Sequence, residues 1–123
     1  CSTMAALYIW EHDVVRPQAQ TLLGSRIEEV LTYGSYSCRN IAGTNRLSEH
    51  GRANAIDIIG FRLEDGREIQ VREQWREDSA EGAFLDEIHT GACRVFSVVL
   101  GPDYNADHAD HFHFDMGNGA LCS

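Results

Sequence analysis

The chain has 123 residues, 43% of them hydrophobic, and carries nineteen acidic against ten basic residues for a net charge of −9 with the histidines neutral. That length suits a single domain over 1–123, burying roughly two-thirds of the surface that the unfolded chain exposes. The charge argues against nucleic acid or an anionic membrane surface as a partner, and no apolar run approaches the ~20 residues that span a bilayer.

Residues 3–12 place Met4, Leu7 and Tyr8 at helical spacing, and Pro17 opens a second short helix that ends near Gly24. Ile27, Glu29, Leu31 and Tyr33 alternate with polar neighbours and predict a strand running into Tyr36 and Arg39. Residues 54–63 are rich in strand formers, and Asp65-Gly66 signals a hairpin whose return strand holds Ile69, Val71 and Trp75. Ser79 caps a helix with Phe84, Leu85 and Ile88 as its apolar stripe. Residues 95–100 read as a short apolar strand stopped by Gly101-Pro102, and a histidine-bearing strand comes last. The order predicts an α+β fold: a mostly antiparallel sheet with helices packed on one face and a candidate site on the other. His12 and His89 sit among polar neighbours and are expected to face solvent, Trp10 and Trp75 to pack in or beside the core, and the acidic stretch 73–81 to be a solvated face. No glycine-rich dinucleotide fingerprint, phosphate loop or Gly-x-Ser-x-Gly elbow is present, so nucleotide binding and serine hydrolysis lack support.

Residues 108–115, His-Ala-Asp-His-Phe-His-Phe-Asp, carry the chemistry. In an extended chain His111, His113 and Asp115 share one face, while Phe112 and Phe114 point to the other. Successive same-face residues are about 7 Å apart at the backbone, so two imidazoles would reach one ion while the phenylalanines bury. A second cluster lies upstream, with His50 and Asp57 seven residues apart. Two histidines and one carboxylate suit zinc with a fourth position left open, as a catalytic site requires. Spacing alone leaves His108, His111 and His113 open as the third ligand.

Cys1, Cys38, Cys93 and Cys122 form no Cys-x-x-Cys pair, which argues against a four-cysteine metal site and for two disulfides in an oxidising compartment. The expected pairs are Cys1–Cys38 and Cys93–Cys122, because each tethers a chain end beside a candidate active-site segment. Each would contribute about 3–4 kcal/mol in the loop-entropy picture.

Ser48-x-His50…Ala55-x-Asp57 followed by His111-x-His113 resembles the zinc peptidases that cut bacterial cell-wall peptides, the D-alanyl-D-alanine carboxypeptidases and murein endopeptidases. Within that superfamily the chain is most similar to the bacterial extensin-like C-terminal domain, through residues 34–39, 47–50, 54–58, 99–103 and 110–113. One departure is Ala53, where the superfamily usually has a glycine three residues after the first ligand histidine.

The resemblance implies zinc held by His50, Asp57 and His113, with His111 as general base. Asp110 is the alternative base, since the carboxypeptidase branch uses a carboxylate near the ligand histidine. Zinc would bring the pKa of its water towards about 7, and His111 would take the proton and pass it to the leaving amine. Arg39, matching the family's Ser-x-Tyr-Arg segment with Cys38 interposed, is expected to stabilise the oxyanion or grip a substrate carboxylate. Tyr36 and Ser48 are expected to contact substrate, and Asp115 to hold a ring nitrogen of a ligand histidine.

The predicted function is therefore zinc-dependent hydrolysis of peptidoglycan peptides by a periplasmic or secreted protein. The alternative is a zinc-containing wall-binding module that has lost hydrolysis, as the hedgehog signalling domain has in the wider superfamily. A structural wall protein in the manner of plant extensin is excluded by the presence of only two prolines. The sequence carries no signal for oligomeric state.

Overall fold

The structure, a computed structural model, describes residues 2–33, 55–117 and 119–123. A helical run opens the chain: α1 (Ser2–Trp10), a π-helical segment (Glu11–Val15), α2 (Arg16–Gln18) and a second π-helical segment (Ala19–Leu23). It ends at Gly24, whose φ of 65° is the left-handed conformation that terminates helices. Two expectations change here. The helix does not stop before Pro17. The proline ring would clash with the carbonyl four residues back in a regular α-helix, and the wider π turn preceding it gives that ring room. The buried face is Thr3, Ala6 and Trp10, whereas Met4 and Tyr8 are 48% and 66% exposed. Residues 4–10 are apolar throughout, so spacing alone picks no face. The largest side chain decides it: Trp10 is fully buried, with its indole N–H donating to the Ile88 carbonyl at 2.9 Å.

Six strands follow, as β1 (Ile27–Thr32), β2 (Ala55–Leu63), β3 (Glu68–Gln70), β4 (Val98–Leu100), β5 (Phe112–Asp115) and β6 (Leu121–Cys122). They form one sheet in the order β1-β2-β5-β4-β6, with β3 also paired to β2; every pairing is antiparallel except β4 with β6. β1 departs from simple alternation, because register shifts interrupt it between Ile27 and Glu29 and between Leu31 and Thr32. The first shift adds a residue to β1 and turns the following side chains to the other face, so Ile27 and Val30, three apart, both pack against the core, whereas the second adds its extra residue to β2. The segment beyond Tyr33 into which this strand was expected to run lies outside the described residues.

The hairpin at Asp65-Gly66 forms, and β3 returns along β2. Gly60 allows that approach, since a Cβ there would stand 2.3 Å from the Ile69 carbonyl oxygen. The return strand is shorter than expected. After Gln70 the chain turns into α3 (Val71–Gln74), where the Gln74 side chain accepts from the Gln70 backbone N–H at 2.8 Å and closes the helix start. Ile69 and Val71 are nonetheless buried, and Trp75 is half-buried.

Ser79 caps α4 (Ala80–Ala92) by accepting from the Gly82 N–H at 3.1 Å, and Phe84, Leu85 and Ile88 bury as predicted. His89 does not face solvent. It is 8% exposed, wedged against Trp75 and Phe112 with ring centroids at 5.3 and 5.4 Å. β4 begins three residues later than expected, because the end of α4 tightens into turns that bind Val95 and Phe96 to the Ala92 carbonyl.

One core unites these elements: Trp10, Val15, Leu23, Phe84, Leu85 and Ile88 from the helical segments with alternate residues of β2 and β5. Phe112 and Phe114 are fully buried there, each stabilising by about 1.5–3 kcal/mol. Phe114 stacks on Phe96 at 4.9 Å and meets Trp10 edge-on at 5.1 Å. A disulfide joins Cys93, just after α4, to Cys122 in β6. Cys1 and Cys38 lie outside the described residues.

Candidate functional site

Burying Phe112 and Phe114 commits the intervening residues of β5 to the opposite face of the sheet, and Ile56 and Ile58 do the same for Asp57 on β2. Antiparallel register then puts Asp57 directly across from His113. His113 Nδ1 lies 2.9 Å from Asp57 Oδ1, and its Nε2 lies 2.8 Å from Asp115 Oδ2. Just before the strand, His111 Nδ1 is 2.8 Å from Asp110 Oδ1, and its Nε2 stands 3.9 Å from Asp57 Oδ1. The other oxygen of Asp110 accepts from the Tyr33 hydroxyl. His108, on the 3₁₀ turn Ala106–His108, is held by Asn105 Oδ1 at 2.7 Å, with its ring 4.9 Å from that of His111.

Charges follow from these contacts. The hydrogen bond from His113 holds the Asp57 carboxyl below its ordinary range, and the same bond raises the His113 ring above the ordinary imidazole value. His113 thus has a carboxylate within hydrogen-bond distance of each ring nitrogen, Asp57 at Nδ1 and Asp115 at Nε2. The Tyr33 hydroxyl is the main influence holding Asp110 ionised, and losing that shared proton is what makes Tyr33 harder to ionise. His108 is lowered first by burial and then by its neighbours His111 and His113.

The family model for the extensin-like protein C-terminus matches residues 1–123. The chain belongs to the extensin-like C-terminal family. Neither a curated protein nor a solved structure matches it.

In this extensin-like domain, Asp57 and His113 offer an oxygen and an imidazole nitrogen side by side, a donor set that suits zinc. Two zinc ligands in a tetrahedral site lie about 3.3 Å apart, so the 2.9 Å pair needs to open by only a few tenths of an ångström. Among the described residues no group of three or more His, Cys, Asp or Glu is arranged to hold a metal. His50, expected as the third ligand, lies outside the described residues, as do Arg39, Tyr36 and Ser48.

The structure therefore brings together Asp57, His111, His113 and Asp115 from the expected set. It adds Tyr33, which the sequence predicts only as a strand residue. Tyr33 sits at the end of β1, its backbone N–H donating to the Asp57 carbonyl at 3.1 Å. Its link to Asp110 depends on the pairing of β1 with β2, which no local pattern around either residue reveals.

Proposed function

We propose that this extensin-like domain is a zinc-dependent peptidase acting on peptidoglycan stem peptides or cross-links outside the cytoplasm, and that its family is a branch of the D-alanyl-D-alanine carboxypeptidase and murein endopeptidase superfamily. The observation that carries the reading is the Asp57–His113 pair, facing across two strands on the side away from the buried phenylalanines, with His111 beside it. The helices would cover the other side of the sheet.

In this reading His113 Nδ1 and Asp57 hold the metal together with His50. Asp115 keeps the proton on His113 Nε2 and so fixes the ring in its ligating tautomer. Zinc, when bound, supplies the Lewis acidity that peptide hydrolysis needs near neutral pH. His111 Nε2 accepts a proton from the attacking water and returns it to the leaving amine. Arg39 would balance the charge developing on the scissile carbonyl oxygen, with Tyr36 and Ser48 contacting substrate. A groove of about 210 Å³, lined by Leu31, Ile59, Glu68 and Arg72 among others, adjoins this arrangement and shares Tyr33 and Asp110 with it. An extracytoplasmic setting is supported by the family and by the Cys93–Cys122 disulfide. No helix of the described residues is long and apolar enough to cross a membrane.

Digestion of purified peptidoglycan by the zinc-loaded chain, with and without chelator, tests the proposal when released fragments are identified by mass. The expected result is a set of peptide fragments that chelator abolishes. No chelator-sensitive release from several wall types would replace the peptidase with the non-catalytic wall-binding module.

A further inference from the structure

We propose that Tyr33 and Asp110 form a positioning chain that fixes His111 with its proton on Nδ1, leaving Nε2 as the nitrogen turned towards Asp57. The inference rests on the peptidase reading only for what Nε2 then does; the hydrogen-bond chain stands on its own geometry.

An ionised carboxylate has no hydrogen to give, so whatever lies at hydrogen-bond distance from it must donate. Asp110 is engaged on both oxygens: Oδ2 accepts from the Tyr33 hydroxyl and Oδ1 stands 2.8 Å from His111 Nδ1. Nδ1 therefore carries the hydrogen, and in the neutral ring the lone pair falls on Nε2. That nitrogen is the one 3.9 Å from Asp57 Oδ1, at the edge of the Asp57–His113 pair. Asp110 in turn needs a fixed partner, because its side chain is only half-buried. Tyr33 provides one: its backbone is tied to the Asp57 carbonyl, and its ring meets the His111 ring edge-on with centroids 5.5 Å apart. The end of β1, the middle of β2 and the turn before β5 are thus linked through a single imidazole.

Nitrogen-15 NMR of the His111 ring in its neutral form tests the chain without turnover, and kinetics test its consequence. Wild type is expected to show hydrogen on Nδ1 alone. In Asp110→Asn the amide can donate as well as accept, so the Nε2-protonated tautomer should appear, with zinc content unchanged and kcat down by about 10–100-fold at unchanged KM. Tyr33→Phe should keep the tautomer, speed exchange of the Nδ1 proton, and lower kcat in the same sense by a smaller factor. A wild-type ring protonated on Nε2, or a tautomer that ignores Asp110→Asn, would overturn the proposal even if peptidoglycan is cleaved. A tautomer that follows Asp110 while no wall type is cleaved would sustain the chain and remove the peptidase. Full turnover in His111→Ala, with none in Asp110→Asn, would make the carboxylate the base and overturn the chain's role.

Discussion

His113 is held between two carboxylates, and that position separates its task from that of His111. His113 Nδ1 lies 2.9 Å from Asp57 Oδ1, so zinc binding between them would replace any proton the two groups share. His111 gives its Nδ1 to Asp110 and stays one step back, its nearest approach to Asp57 being 3.9 Å. His111→Ala should therefore retain zinc and the folded state while losing roughly 10²–10⁴-fold in hydrolysis, the usual worth of a positioned acid–base group. Metal content and turnover measured on the same sample check this. Loss of zinc from His111→Ala would make it a ligand instead.

At the scale of elements, α4 and β5 meet through His89, a buried imidazole packed on the core side of the histidine strand. Burial lowers its pKa below the ordinary value of 6.5, with Asp86 and Asp103 opposing that shift and Arg76 reinforcing it. The unfolded chain then binds more protons than the folded one below pH 6.5. The stability due to a neutral His89 is complete above that pH and is lost as pH falls through the folded value. His113 runs the other way: its raised pKa contributes stability that is full below pH 6.5 and disappears as pH rises through the folded value. Denaturant unfolding of the metal-free chain should thus weaken as pH falls below 6.5, and His89→Gln should flatten the stretch just below 6.5, leaving the further loss below 3.8 that Asp57 and Asp110 carry. An unchanged acid slope in His89→Gln would show that another group carries it.

His89 also marks where the sequence was readable and where it was misread. Its polar neighbours suggested exposure, yet its spacing of four from Leu85 and three from Ala92 puts it on the buried stripe, a signal that was available. In β5 the period of two is unambiguous, because large rings alternate with ionisable groups, but the facing of Asp57 and His113 also needs the β2–β5 pairing. In β1 the same period fails, since bulges re-aim side chains without leaving a local trace. The first helix offers apolar residues on every side, and packing of Trp10 against α4 selects the face. Tyr33 reaches Asp110 across 77 positions of sequence, a contact that only the sheet creates.

Across the whole molecule, the Cys93–Cys122 bond closes a segment of 29 residues that contains β4, the 3₁₀ turn and β5, and hence His108, His111 and His113. The parallel pairing of β6 on β4 is only two residues long, so the covalent link is its main restraint. Reduction should cost about 3–4 kcal/mol, read as a fall in the denaturant midpoint. An unchanged midpoint after complete reduction would mean that the sheet edge holds without it.

In the proposed function, the sheet serves to present the Asp57–His113 pair to a zinc ion. Elemental analysis of the dialysed wild-type chain beside His113→Ala tests that most directly. About one zinc per chain in wild type, and none in His113→Ala, is the predicted result. Zinc retained at full stoichiometry by His113→Ala, or calcium in place of zinc, would contradict it.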